Sequence, residues 1–261
     1  MLNSIPDILA RIVAQKRAEL AAATVPRDRL ERQAELCAAQ RRDFSAALRR
    51  LEPAVIAELK KASPSKGLLC SHYDPPKLAT EYEQGGAAAL SVLTDQRFFQ
   101  GSLEDLRAAR AAVSLPVLRK DFTIDAYHVL EAAAAGADAI LLIAAVLSTD
   151  ELRRLRELAG RCRMAALVEV HDRDELQSAL DSGAEIIGVN NRNLRTFEVK
   201  LETALELANE IPARVLRVAE SGIHSAEDLR RLRAAGFDAF LVGERLVTSP
   251  SPALALKALL A

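Results

Sequence analysis

Four ionisable residues, Glu58, Lys60, Lys120 and Glu169, have the side-chain types that acid–base chemistry needs. Glu58 and Lys60 stand two apart in the run Val55-Ile56-Ala57-Glu58-Leu59-Lys60. On a strand, that spacing puts both side chains on one face. A badly paired ion buried there costs on the order of several kcal/mol, so the pair marks either a tight ion pair or a reaction site. A lysine beside other cations, or partly desolvated, titrates below its usual range and can donate a proton near neutral pH. A neighbouring carboxylate does the opposite and makes the pair an orienting one. Just beyond lies Ser63-Pro64-Ser65-Lys66-Gly67, rich in hydroxyls, lysine and turn formers.

Positioning these residues requires a scaffold, and the rest of the chain is regular. β-rich runs occur near 54–60, 88–94, 116–120, 138–143, 165–170, 185–190, 214–219 and 238–243, separated by helix-like stretches. Several helices open with a cap: Ser102 with Asp105, Ser148 with Glu151, Asp172 with Glu175, Ser225 with Asp228. A Gly-led phrase recurs where helix hands over to strand, as in Gly86-Ala87-Ala88-Ala89-Leu90 and Gly136-Ala137-Asp138-Ala139-Ile140. Eight such units predict an α/β fold, a closed (β/α)8 TIM barrel. An open doubly wound sheet has fewer strands, and no GxGxxG follows the first one. Residues 1–50 read as helical, and 51–261 as the barrel, in a single domain spanning 1–261. In the first helix Ile5, Ile8, Leu9, Ile12, Val13 and Leu20 form an apolar stripe, with Arg11, Lys16 and Arg17 elsewhere, and Ser4 with Asp7 resembles a capping box.

In such barrels the carboxyl ends of the strands face the active site. Here those ends are polar: Glu58 and Lys60, Thr94-Asp95, Arg119-Lys120-Asp121, Glu169 and His171, Asn190-Asn191-Arg192, Glu220-Ser221-Gly222, and Gly243-Glu244. The fourth strand alone ends apolar, at Ile143-Ala144-Ala145. A ring of structural salt bridges is the competing reading, and the number of charged ends weighs against it. Gly222 and Gly243 would let backbone N–H groups approach a phosphate, with Ser63 and Lys60 closing the site; turn formation explains each glycine taken alone. Glu244 is expected to turn its side chain away and offer only its N–H. Phe99 and Phe122 can wall an aromatic ring, whereas Phe98 is expected in the core. Asn190 and Arg192 can hold a carboxylate or hydroxyl. His171 is expected to stand behind Glu169, and His72, His128 and His224 on the surface.

Composition narrows the function. Half of the 261 residues are hydrophobic, enough for a sizeable core. A net charge of -1 and the absence of Trp argue against nucleic acid as a partner. The longest apolar runs are far short of a membrane span, and no secretory leader is expected. Cys37, Cys70 and Cys162 are scattered without a CxxC, which suits a reducing cytoplasm. The histidines never fall at ligand spacing, so no metal site is expected.

The segments IAELKKASPSKG, SVLTD with FFQGS, PVLRKDF, LVEVH, IGVNNRNL, AESGI and LVGERL follow one another in this order. The series resembles the indole-3-glycerol-phosphate synthase family of tryptophan biosynthesis, over nearly the whole chain. The resemblance implies a carboxy-lyase with a phosphorylated small-molecule substrate, 1-(2-carboxyphenylamino)-1-deoxyribulose 5-phosphate. Ring closure with loss of CO2 and water yields indole-3-glycerol phosphate, and no cofactor or metal is needed. Lys120 matches the acid that protonates the ketone oxygen, Lys60 the lysine that binds the carboxylate, and Glu169 the carboxylate of dehydration. Glu58, Asn190 and Ser221 match supporting polar residues. Ser63, Gly222, Gly243 and Glu244 fall at phosphate positions, and Phe99, Phe122, Arg192 and Leu194 at substrate-lining positions. The N-terminal helices match an extension over the barrel mouth, and Leu68–Asp74 departs from the family's usual loop. A monomer is expected, with other tryptophan-pathway enzymes as its possible associates. A phosphosugar isomerase resembling phosphoribosylanthranilate isomerase, and a barrel kept as a non-catalytic binding module, are the rival readings.

Overall fold

The eight β-rich runs of the sequence become strands buried on nearly every residue, as Val-, Ile-, Leu- and Ala-rich parallel strands must be. The computed structural model describes residues 7–50 and 52–261. Its strands are β1 (Ala54–Leu59), β2 (Ala89–Leu93), β3 (Val117–Lys120), β4 (Ala139–Ile143), β5 (Ala165–Val170), β6 (Ile186–Asn190), β7 (Leu216–Glu220) and β8 (Ala239–Val242). Each pairs in parallel with its sequence neighbours, and β1 closes the barrel against β8 with Ala54 opposite Ala239. Alternate residues divide between two cores. Ala54, Ile56, Leu118, Leu167, Val218 and Leu241 fill the barrel, while Val55, Ala57, Val117, Val168 and Val242 pack under the helices. Carried to the carboxyl ends, the inward alternation reaches Glu58, Lys120, Glu169, Asn190, Glu220 and Gly243.

The helix signals behave as local chemistry dictates. Ser148 and Ser225 form reciprocal capping boxes with Glu151 and Asp228, and the Ser102 and Asp172 side chains accept from the Asp105 and Glu175 N–H groups. Gly86 and Gly136 end their helices at φ 97° and 91°, where a β-carbon would be strained.

The N-terminal extension serves both ends of the barrel. Helix α1 (Asp7–Ala21) brings Ile8, Leu9 and Ile12 to the mouth. Helix α2 (Arg27–Ala38) packs on the helix Ala126–Ala135. Helix α3 (Phe44–Arg50) lies at the opposite end, where Phe44 and Leu48, each 1% exposed, plug the strand starts against Ala54, Ala89 and Ala139. The expected placement over the mouth therefore applies to α1 alone. Ser4 and Ile5 lie outside the described residues. Lys16, placed by sequence off the apolar stripe, is only 5% exposed because two aspartates receive it.

Candidate active site

At the carboxyl ends of the strands, side chains on the inward alternation run out of apolar neighbours and border a cavity of about 440 Å³. All fourteen residues singled out from the sequence line it: Glu58, Lys60, Ser63, Phe99, Lys120, Phe122, Glu169, Asn190, Arg192, Leu194, Ser221, Gly222, Gly243 and Glu244.

Lys120 ends β3, and its Nζ lies 2.9 Å from Glu169 Oε2 and 3.3 Å from Glu220 Oε2. Burial works against its charge, but Glu169, Glu220 and Glu58 more than offset this, so the ammonium titrates above its ordinary range. Of the two directions that the sequence leaves open, the carboxylate one therefore applies to Lys120. Burial also pushes Glu169 up, but Lys120, His171 and a hydrogen bond from Asn190 bring it down to about 2. Glu220, 1% exposed, goes the other way. Burial and the like charge of Glu169 outweigh Lys120 and raise it to about 7. One ammonium thus stands between a firmly ionised carboxylate and one that exchanges its proton near neutrality. Behind Glu169, His171 Nε2 lies 3.4 Å from Glu169 Oε1, and its Nδ1 is 2.9 Å from Glu175 Oε2. The histidine stands behind Glu169 as expected.

The second lysine is held by the first strand. Lys60 Nζ donates to Glu58 Oε1 at 2.7 Å. The Glu58 carboxylate occupies room that only a glycine leaves open: a β-carbon on Gly243 would lie 2.3 Å from Oε1. β6 makes the same accommodation, since a β-carbon on Gly188 would lie 2.1 Å from Glu220 Oε1. Gly243, expected only to bring an N–H to phosphate, thus also houses a carboxylate.

At the end of β7 the chain bends sharply. Ser221 and Gly222 both have positive φ, 66° and 78°. For serine this costs about 1–3 kcal/mol and needs outside support, which Asn191 Nδ2 provides by donating to the Ser221 carbonyl at 3.1 Å. The Glu244 carboxylate pairs with Lys66, on the short hairpin of Ala62–Ser63 with Gly67–Leu68. It still borders the cavity, so its side chain is neutralised rather than turned away. The Phe99 and Phe122 rings lie 6.1 Å apart, and Ile8 and Ile12 of α1 line the same cavity.

Several polar strand-end residues belong elsewhere. Arg119 falls on the outward alternation and donates to Thr94, Asp121, Glu131 and the His128 carbonyl. His128, expected at the surface, is 7% exposed and accepts from the Ile124 N–H. Phe98, expected in the core, is half-buried with the Arg97 guanidinium 6.0 Å from its ring centroid. Sequence reasoning noted Glu220 at its strand end but gave it no role, and missed the α1 wall. Counting the alternation from Leu216 and Val218 would have selected Glu220. Among the described residues, no group of three or more His, Cys, Asp or Glu side chains is arranged to hold a metal ion.

Charged groups gathered at one end of a closed parallel barrel are the way (β/α)8-barrel enzymes build active sites, and this chain is of that class. The family model for indole-3-glycerol phosphate synthase matches residues 9–259. An indole-3-glycerol phosphate synthase of Albidiferax ferrireducens is 52% identical over 98% of both chains. One of Koribacter versatilis is 58% identical over 79% of this chain and 80% of its own. A thiamine phosphate pyrophosphorylase from Pyrococcus furiosus superposes with a TM-score of 0.60 at 17% identity, covering 80% of this chain and 94% of its own, a likeness of fold only. The chain belongs to the indole-3-glycerol phosphate synthase family. It is accordingly a decarboxylating lyase of tryptophan biosynthesis.

Proposed function

We propose that this cavity closes the indole ring of 1-(2-carboxyphenylamino)-1-deoxyribulose 5-phosphate with the following division of labour. The carrying observation is that Lys120 stands between Glu169 and Glu220, with Lys60 in the same cavity. The phosphate sits at Ser63, Gly222 and Gly243, where backbone N–H groups can approach it; Lys66 neutralises Glu244 at that rim. The benzene ring lies against Phe99 and Phe122, with Leu194 and Arg192 closing the lining. Lys60, oriented by Glu58, pairs with the substrate carboxylate.

The ring carbon bearing that carboxylate attacks the ketone carbon, and Lys120 delivers a proton to the ketone oxygen. Its titration above the ordinary range does not oppose this. A strongly held ammonium stabilises the growing oxyanion, and an alkoxide is basic enough to take the proton. CO2 then leaves, and its bonding electrons restore the aromatic ring. The hydroxyl departs as water with a second proton, given by Lys60, while Glu169, firmly ionised, takes the proton from the neighbouring carbon and stabilises the cationic intermediate. Glu220 titrates near neutrality beside Lys120, so it is the group placed to return a proton to that lysine. Asn190 holds Glu169, and Ser221 shapes the phosphate end.

We also infer that residues 1–261 act as one domain, as a monomer, in the cytoplasm; the three free cysteines support a reducing compartment. Association with other tryptophan-pathway enzymes is part of the same proposal. The test is turnover followed by indole fluorescence, which the Trp-free chain leaves unobscured. Lys120→Ala should abolish ring closure while substrate still binds; turnover at the wild-type rate would overturn the acid assignment. Isomerisation without CO2 release would instead support the phosphosugar isomerase reading, which the family membership does not favour.

A further inference from the structure

Lys16 makes a set of contacts that the reaction does not require directly. Its ammonium lies 2.9 Å from Asp95 Oδ2, 2.9 Å from Asp121 Oδ1 and 3.1 Å from Glu19 Oε2. Asp95 and Asp121 are almost fully buried, at 0% and 4% exposure. Each aspartate has a second task. Asp95 Oδ1 accepts from the Phe98 N–H at 2.7 Å and so caps the short helix Gln96–Phe99, which carries Phe99. Asp121 Oδ1 accepts from the Phe122 N–H at 2.8 Å, and its other oxygen accepts from Thr94 and Arg119. On α1, Ile12 lies four residues before Lys16 and Ile8 eight before it, so they share its side of the helix and reach the cavity.

One ammonium therefore ties together the three elements that carry the apolar side of the cavity: α1, the Phe99 helix and the Phe122 backbone. We propose that Lys16 is a positioning residue that assembles the ring-binding wall of the site, coupling the N-terminal helix to the grip on the substrate's benzene ring. Lys16 touches no reacting atom. It acts through Asp95 and Asp121, and Asp121 adjoins Lys120 in sequence. The inference rests on the ring placement proposed above.

The test compares wild type with Lys16→Met and with the charge-balanced pair Lys16→Met/Asp95→Asn. In the pair, the amide introduced at position 95 keeps an oxygen for the Phe98 N–H, and Asp121 keeps Arg119. At temperatures where circular dichroism matches wild type, the pair should raise KM about tenfold or more with kcat within about threefold. It should weaken binding of indole-3-glycerol phosphate, read by indole fluorescence, while inhibition by inorganic phosphate stays unchanged. Lys16→Arg should restore part of the KM effect. An unchanged KM in the folded pair, or equal weakening towards inorganic phosphate and product, would overturn the proposal. If Lys16→Met alone does not fold, the pair decides. Wild-type turnover in the same assay separates a failure of the Lys16 proposal from a failure of the activity reading.

Discussion

Replacing Glu220 by glutamine should change the pH dependence of stability in a window that can be worked out from the site. Glu220 titrates at about 7 in the folded chain against an ordinary 4.5. One pKa unit is worth about 1.36 kcal/mol, so the difference amounts to about 3 kcal/mol. Below about pH 4.5 the group is protonated in both states, and its contribution is fully present. As pH rises through about 7 that contribution is lost, because the folded protein must ionise a buried carboxylate beside Glu169. Glu169, lowered to about 2, works the other way in a separate window: its contribution is present above about 4.5 and lost as pH falls towards 2. His171 is raised above 6.5, by Glu175 and Glu169 against its burial, so it also loses stabilisation as pH rises. Glu220 is one of the charges that raise it, so the variant gives up part of this smaller contribution as well. The substituted amide keeps the shape and an acceptor for Lys120 but never ionises. Urea unfolding from about pH 4.5 to about pH 8 should therefore show near-equal stability at the acid end. Above about pH 7 the variant should gain, by up to about 3 kcal/mol, while its turnover falls. A difference curve flat across that range would refute the assignment of a protonatable Glu220.

Other perturbations test neighbouring parts of the site. Gly188→Ala would place a β-carbon 2.1 Å from Glu220 Oε1, so kcat should fall by about tenfold or more while circular dichroism stays native. Glu58→Gln should loosen the 2.7 Å hold on Lys60 and raise KM more than it lowers kcat, measured by steady-state kinetics. Ser148→Ala, which removes a capping box outside the cavity lining, should cost about 1 kcal/mol in thermal unfolding and leave turnover unchanged.

Much of the barrel was legible because its determinants are local. A strand buried on both faces needs a short apolar run, a helix start needs a side-chain acceptor, and a helix stop needs a residue tolerant of positive φ. Runs such as Ala139–Ile143, caps such as Ser225 with Asp228, and stops such as Gly136 carry that information within a few residues. The site residues were legible for a related reason: side chains alternate along a strand, so an ionisable group ending an apolar inward set must face the mouth. The ordered motifs added the roles. They drew attention to Ser221 and away from Glu220, which the alternation itself would have chosen.

By itself, the sequence determined the eight strands, several helix starts and stops, and most of the residues that meet at the carboxyl ends. Only the tertiary structure decided how those charges behave, because that depends on neighbours from distant segments. Lys16 is buried on α1 because Asp95 and Asp121, from the ends of β2 and β3, enclose its ammonium. His128 is interior beside the buried Arg119, whose guanidinium binds its carbonyl. Lys120 remains a firmly held cation, and Glu220 becomes a titrating acid, because β1, β5 and β7 converge on β3 in three dimensions. Electrostatic energy in a low-dielectric mouth falls with distance through space, and that distance exists only once the barrel has closed.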